Sequence, residues 1–266
     1  MSLRINQNTT ALIAARQAGN ADNAMAKSLA RIATGRKINS AADDASAMVI
    51  ADKLKSQSLA AGQQIRNASD NISIAQTADG ALGQISDILQ DIRTKSLDAA
   101  NGLHSADSLS AIQSDINASL DAIKDIVDTT SFNGQTLLDG TFNTNSLSIS
   151  SVDPSQLGST ETGFLSGIDI TSTEGAQQAI ETLDLALSQV NQVRSNVGSS
   201  QNQYTSDINT LSTTRINLLA AESQIRDTDL AEESIVLNQM KLLARTSTYA
   251  MAQANKTQEK LIDLIG

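Results

Sequence analysis

A single histidine is the residue of this chain best suited to acid–base chemistry. His104 follows Asn101-Gly102, and the sequence around it contains no recognised motif of a metal site or an active site. The chain has no Cys, and it contains no HExxH motif and no glycine-rich phosphate loop. These observations predict that the protein is not an enzyme and that it binds no cofactor.

Two pairs of aspartates are the other chemically interesting residues. Asp43-Asp44 and Asp227/Asp229 supply carboxylate oxygens of the kind that Ca²⁺ prefers, so one hypothesis is a cation site. The alternative is helix capping, because Ser40 with Asp43 and Asp229 with Glu232 have the spacing of a capping box. Capping explains the same residues with fewer assumptions, and we predict no metal ligand.

The elements that carry these residues are predicted to be long helices. Apolar residues recur at three- and four-residue steps over 9–37, from about 45 to 100, over 109–127, 174–225 and 230–266. Aromatic residues make up 2% and there is one Pro, which favours helices packed through small and branched side chains. Asn133-Gly134 predicts a hairpin, and 141–172 predicts short strands and loops. The expected fold is mainly α, an elongated coiled-coil or helical bundle with a short β-hairpin region.

The two ends of the chain are predicted to assemble with other molecules. The final helix carries one apolar stripe but also apolar residues off that stripe, so a single partner helix from the same chain cannot cover it. The N-terminal helix has a thin, Ala-rich stripe and is expected to be marginal or disordered alone. We therefore predict a polymer subunit, with assembly residues Ile5, Leu12, Met25, Leu29, Ile32, Leu237, Met240, Ala244, Met251, Leu261 and Ile265.

Charge and hydropathy argue against two other classes of partner. The net charge is −10, but residues 1–40 balance to about +5. This basic arm lacks aromatics and clustered Lys/Arg, so we predict no nucleic-acid binding. No 18-residue apolar run is present and the N-terminus lacks a signal-peptide pattern, so we predict no membrane insertion.

Four segments in order resemble bacterial flagellin. The first is Ile5-Asn6 with Asn8, Ala11 and Leu12, and the second is the run INSAADDASAMVIADKL from Ile38 to Leu54. The third is Phe132-Asn133-Gly134 with Leu137, Leu138 and Gly140, and the fourth is Ser223 to Asp229 with Ala231 and Glu232. Each is weak alone, but together the four signatures cover nearly the whole chain.

The resemblance implies a structural subunit that polymerises into the flagellar filament for motility. It implies that 1–40 and 230–266 form the inner tube, joined by polar spokes near 36–44 and 226–231 containing Ser40, Asp43, Asp44, Asp227 and Asp229. Residues 41–229 would be an outer bundle with a hairpin and a short insert near 130–172, as in a minimal flagellin without large outer domains. A flagellin-like protein joining hook to filament is the alternative.

The resemblance also implies partners and a location. Flagellins polymerise with copies of themselves and leave the cell through the flagellar type III apparatus, with an export chaperone on the C-terminal helix. Filament cap and hook-associated proteins are further partners, and the filament is extracellular. An innate immune receptor reads a site matching Asp91, Lys95 and Asp115, where the family typically has Arg, Leu and Glu. These altered residues predict weak or absent receptor activation.

Overall fold

The computed structural model describes residues 8–144 and 147–263, and these ranges are mainly helical. Their five α-helices are α1 (Thr9–Thr34), α2 (Ala45–Ala99), α3 (Ala106–Thr129), α4 (Thr173–Arg226) and α5 (Leu230–Asp263). The short strands are β1 (Ser131–Phe132), β2 (Gln135–Thr136), β3 (Gly158–Ser159) and β4 (Gly163–Phe164), followed by a 3₁₀ turn at Leu165–Gly167. A helical bundle with a short β region is the fold that the sequence predicts, and this prediction is confirmed.

The chain divides into two units. The first contains Met1–Ala60 and Thr214–Gly266, and the second contains Ala61–Thr213. Both boundaries fall inside helices, because α2 and α4 each contribute residues to both units. The division predicted from the sequence lies at the polar breaks near 40 and 230 instead.

The second unit has one continuous apolar core. The heptad positions of α2 and α4 line it, and α3 adds a third apolar stripe. The fully buried members include Leu82, Ile85, Leu89, Ile92, Ile116, Ile123, Val127, Leu183 and Val190. Alternating three- and four-residue spacing therefore places these side chains where the sequence predicts them.

The segment between β2 and α4 adds much more to this core than its polar composition suggests. It contains a second hairpin, β3–β4, and most of its apolar residues are buried, including Leu147, Ile149, Val152, Leu157, Leu165 and Ile170, whereas Phe164 is 40% exposed. Side-chain amides hold its backbone in place. Gln113 donates to Ile168 O (3.0 Å) and accepts from Ile170 N (2.8 Å). Gln189 binds both backbone polar atoms of Gly158 at 3.0 Å, so the backbone groups of this segment are satisfied without a larger sheet.

The first hairpin has the turn that Asn-Gly predicts. β1 and β2 are antiparallel, with Ser131 opposite Thr136. Asn133 and Gly134 have φ values of 51° and 81°, the two positive angles that a type I′ turn requires. The hairpin prediction is therefore confirmed.

Candidate functional site

The contact between α1 and α5 is an antiparallel seam, and the buried residues that α1 contributes to it have small side chains. Asn8 before α1 donates to Ala254 O near the end of α5 (3.2 Å), and Ser28 near the end of α1 lies against Glu233 in the first turn of α5. On α1 the seam residues Ala18 and Ala21 are buried. Short Ala side chains let two helices approach closely, but each removes little apolar area from water.

One residue of the predicted N-terminal stripe lies on the wrong side of the helix. The predicted assembly residues step from Met25 to Leu29, whereas the structure buries Ser28 (2% exposed) and leaves Leu29 55% exposed. The seam keeps the alternation of four and three residues, so Ser28 follows Met25 and Ile32 comes next. Apolarity favoured Leu29 in the sequence, but the helical period places Ser28 in the contact.

The remaining predicted assembly residues differ in how far their side chains are exposed. A half-buried group lies in α1 and α5, and it consists of Met25, Ile32, Leu237, Met240, Ala244 and Met251. Leu12 is 56% exposed, and Leu29 is exposed to a similar extent. Ile5 and Ile265 lie outside the described residues, and Leu261 lies in α5, where its side chain is not described. The role of all these residues in contacts between copies stays a prediction.

Large apolar side chains are exposed on the faces of α1 and α5 away from the seam. They include Leu12, Ile13, Leu29, Ile235, Leu242, Leu243 and Tyr249, with Leu242 68% and Tyr249 75% exposed. Each helix covers only one face of the other, so the pair leaves apolar surface on more than one side. Exposed large apolar side chains on more than one side of a helix pair favour interaction with other molecules.

The connections that follow α1 and α4 are hydrogen-bonded to each other. Lys37 N donates to Arg226 O (2.7 Å), and Thr228 N donates to Gly35 O (3.0 Å). Arg36 and Asp227 form an antiparallel bridge between these two bonds. Gly35 has a φ of 68°, which ends α1 in the left-handed conformation that favours glycine. The two predicted spokes are thus paired.

The predicted capping residues act in helix ends and turns. Asp44 Oδ1 accepts from Ala47 N (2.9 Å) and caps α2, while Asp229 Oδ1 accepts from Ala231 N (2.8 Å) and caps α5. Asp43 accepts from the backbone N–H groups of Ser40 and Asn39 and from the Ser40 hydroxyl, and these bonds lower the pKa of Asp43. Ser40 is therefore not the helix cap.

Asp227 also accepts a hydrogen bond from within the chain. Its Oδ2 accepts a hydrogen bond from the Ser223 hydroxyl (2.6 Å). Over 8–144 and 147–263, no three His, Cys, Asp or Glu side chains form a group that could hold a metal ion. The same ranges contain no helix with the length and apolarity needed to cross a membrane.

Arg226 is a structural residue that the sequence analysis missed. Its Nη1 lies 2.9 Å from Asp52 Oδ1 and 4.0 Å from Glu222 Oε1, and its side chain is only 12% exposed. The bridge joins the end of α4 to α2 across 174 residues of sequence. A run of apolar heptads gives no signal for such a pair.

His104 has a structural explanation. Nδ1 lies 3.2 Å from Ser108 Oγ, and Nε2 lies 3.1 Å from Asp98 Oδ2. The imidazole thus connects the end of α2 to the first turn of α3, and it uses both ring nitrogens to do so. Neither nitrogen is left for a substrate or a metal.

The residues at the receptor-site positions form one ion cluster. Lys95 Nζ lies 3.2 Å from Asp91 Oδ2 and 3.3 Å from Asp115 Oδ2. Partial burial opposes the positive charge of Lys95, but hydrogen bonds to Asp91 and Asp115 outweigh it, and the pKa of Lys95 is raised. The sequence placed Asp91 and Lys95 one helical turn apart, and the structure adds Asp115 from α3.

Comparisons with known proteins agree with the four sequence segments. A family profile described as "Bacterial flagellin N-terminal helical region" matches residues 5–143, and "Bacterial flagellin C-terminal helical region" matches 180–265. The flagellar filament 33 kDa core protein of Treponema phagedenis is 31% identical over 98% of this chain and 99% of its own length. A flagellin of Halalkalibacterium halodurans is 34% identical with the same coverage.

A solved structure is also similar. The crystal structure of Bacillus cereus flagellin aligns with 59% of this chain and 94% of its own, at 27% identity and a TM-score of 0.47. The family profiles together span both ends of the chain, and the relatives cover it almost completely. The chain belongs to the bacterial flagellins, and it is a structural subunit of the flagellar filament, not an enzyme.

Proposed function

We propose that α1 and α5 together form the inner tube of the filament. In this proposal residues 1–40 and 230–266 build the tube, 36–44 and 226–231 are the spokes, and 41–229 form the bundle outside it. The observation that carries the proposal is the exposed apolar surface on both helices, which includes Ile13, Ile235, Leu242 and Tyr249. This surface remains after α1 and α5 have packed on each other, and we infer that further copies of the chain bury it in the filament.

The narrow seam supports a second step, in which the terminal helices gain most of their stability from assembly. Ala18 and Ala21 are buried in the seam but contribute little buried area, and larger seam residues such as Met25 and Ile32 are only half-buried. Two isolated helices therefore gain little from pairing. Ordering on joining the filament would delay polymerisation until a growing end is available. Hydrogen exchange tests this step. We expect α1 and α5 amides to exchange fast in the monomer and slowly in the filament, while the buried helices of 61–213 stay protected in both.

The same surface suggests how the chain is handled before assembly. We propose that an export chaperone covers the apolar face of α5, that the chain leaves through the type III apparatus, and that it meets cap and hook-associated proteins outside the cell. Ile235 is 59% exposed, and an uncovered apolar helix is an aggregation hazard inside the cell. Replacing Leu242 and Tyr249 by Ser should weaken chaperone binding. Replacing the exposed Leu103 of 61–213 by Ser should not.

Truncation tests the inner-tube proposal. Negative-stain images of the intact chain should show filaments, and images of a chain lacking 1–35 and 235–266 should show none. Circular dichroism of the truncated chain must still show a cooperative helical transition, because a collapsed bundle would also fail to assemble. Filaments from the doubly truncated chain would reject the assignment of assembly to α1 and α5.

A further inference from the structure

We infer that Ser28 and Glu233 set the register in which α1 and α5 meet, and that they are specificity-determining residues for assembly. The part of this inference that concerns assembly rests on the proposed inner tube, since every copy in a tube must present the same pairing. The pairing itself is argued from the contacts within one chain.

Ser28 and Glu233 are buried polar residues in a seam that is otherwise mostly apolar. Ser28 is 2% exposed and Glu233 is 9% exposed. The Ser28 hydroxyl donates to Glu233 Oε1, and its oxygen also lies 3.4 Å from the Glu233 carbonyl oxygen. A buried carboxylate without a donor is strongly unfavourable, so this contact discriminates between pairings that satisfy Glu233 and pairings that do not.

The charge of Glu233 is placed where the two helices favour it. Arg31 Nη1 lies 3.7 Å from the second carboxylate oxygen, Oε2. Glu233 lies in the first turn of α5 and Arg31 in the last turn of α1, so each charge is at the helix end whose dipole stabilises it. Antiparallel pairing in the observed register brings these two ends together.

Moving α1 along α5 by one heptad would keep the small-residue packing but break this contact. Seven residues before Ser28 stands Ala21, and seven after Glu233 stands Met240. A shift in one direction places Glu233 opposite Ala21, which has no hydroxyl. A shift in the opposite direction brings Ser28 opposite Met240. It also brings Glu233 opposite Gly35, which lies beyond the end of α1. Neither shifted pairing places a hydroxyl directly opposite Glu233. A polar residue at a seam position is a known means of fixing coiled-coil register.

The structure contains two other contacts that could hold the register. Asn8 Nδ2 donates to Ala254 O (3.2 Å) and Asn255 Oδ1 (3.1 Å), but this contact is largely exposed at the far end of the seam. The bridged spokes join Thr228 N to Gly35 O at the near end. A decisive experiment must therefore remove the buried pair and leave both of these contacts in place.

Thiol crosslinking in assembled filaments reads the register directly, because the natural chain has no Cys. Ala21→Cys with Met240→Cys reports the observed register. Ala14→Cys with Met240→Cys and Ala21→Cys with Ser247→Cys report the two heptad shifts. One heptad moves a residue by roughly 10 Å along the axis, so a shorter thiol crosslinker distinguishes the reporters. Denaturing gels separate crosslinks within a chain from those between chains.

Each reporter is made in four backgrounds. They are the parent, Ser28→Ala/Glu233→Leu, the conservative Glu233→Gln, and Glu232→Leu, which removes a neighbouring exposed carboxylate. We expect the parent, Glu233→Gln and Glu232→Leu to favour the observed register by about tenfold or more, and the apolar double variant to lose most of that preference. Circular dichroism of each background confirms that the helices still form.

Two results would overturn the inference. If the apolar double variant keeps the full preference, the spokes or Asn8 fix the register. If the parent itself crosslinks equally in shifted reporters, no register is specified. A different result would reject the inner-tube proposal itself. In that case filaments would assemble normally, but the α1–α5 reporters would give no crosslink within or between chains.

Discussion

Replacing Leu242 by Ala separates assembly from folding within one chain. Leu242 lies on α5 and is 68% exposed, so its side chain contributes little to the α1–α5 seam. If further copies bury this face in the inner tube, the substitution should weaken polymerisation while the stability of the monomer stays unchanged.

The size of the effect follows from the area still exposed. Leu exceeds Ala by three carbon groups, and burying each contributes about 0.8 kcal/mol, or roughly 2.4 kcal/mol in all. With 68% of the side chain exposed, the part left for a contact between copies is about 1.6 kcal/mol. Because about 1.4 kcal/mol is a factor of ten in an equilibrium constant, the critical concentration should rise roughly ten- to twentyfold.

Sedimentation of polymer at a series of protein concentrations measures this change, and urea unfolding of the monomer measures stability. Leu89→Ala is the matched control, since Leu89 is fully buried in the 61–213 core and the same atoms are removed. That variant should lose about 2–5 kcal/mol of stability yet polymerise at a near-parental critical concentration while it remains folded. An unchanged critical concentration for Leu242→Ala would refute the assignment of this face to the tube.

Three further outcomes are expected. Gly158→Ala should lower the free energy of unfolding, measured in urea, by about 1–3 kcal/mol. Gly158 has a φ of +120°, and a Cβ there would lie 2.3 Å from the carbonyl oxygen of Gly163. Gly167→Ala should change the free energy of unfolding little, because a Cβ at Gly167 meets no atom within 4 Å. Purified monomer should activate the innate receptor weakly in a reporter-cell assay, and Asp91→Arg with Lys95→Leu should increase activation. Hydrogen bonds from neighbouring hydroxyl and backbone groups lower the pKa of Asp139 in the folded chain. The charged Asp139 therefore stabilises the fold at pH values above its pKa in the unfolded chain, and this stabilisation is lost as the pH falls through its lower pKa in the folded chain. Asp139→Asn should therefore flatten the acid side of the stability profile measured by urea unfolding.

The sequence predicted the helices well because their determinants are local. In α2 and α4 the apolar residues keep one heptad register, so Leu82, Leu89 and Val190 could be placed in a core without knowing what they touch. Asn133-Gly134 likewise determines its own turn. Asp229 caps α5 as its spacing with the first turn predicts.

The contacts that the sequence did not predict are between distant segments. Arg226 pairs with Asp52, and Ser28 pairs with Glu233, 205 residues later. Apolarity alone does not identify the α1–α5 contact, because it favours Leu29 where the contact uses Ser28. The role of Leu29 in contacts between copies stays a prediction. The insert was expected to be short strands and loops, but its alternating Ile, Leu and Val residues are buried in the core of 61–213.

The thin seam and the exposed apolar faces support the same mechanism. A seam rich in Ala allows α1 and α5 to lie close together, but it leaves the larger apolar side chains, such as Ile13 and Leu242, facing outward. Stronger pairing within one chain would need those side chains in the seam, and it would remove the surface that we propose other copies cover. A buried polar contact such as Ser28–Glu233 resolves this conflict, because it specifies a single pairing without adding much apolar area. We therefore expect the terminal helices to be specific in register but weak in isolation, so that the filament supplies the stability that the single chain lacks.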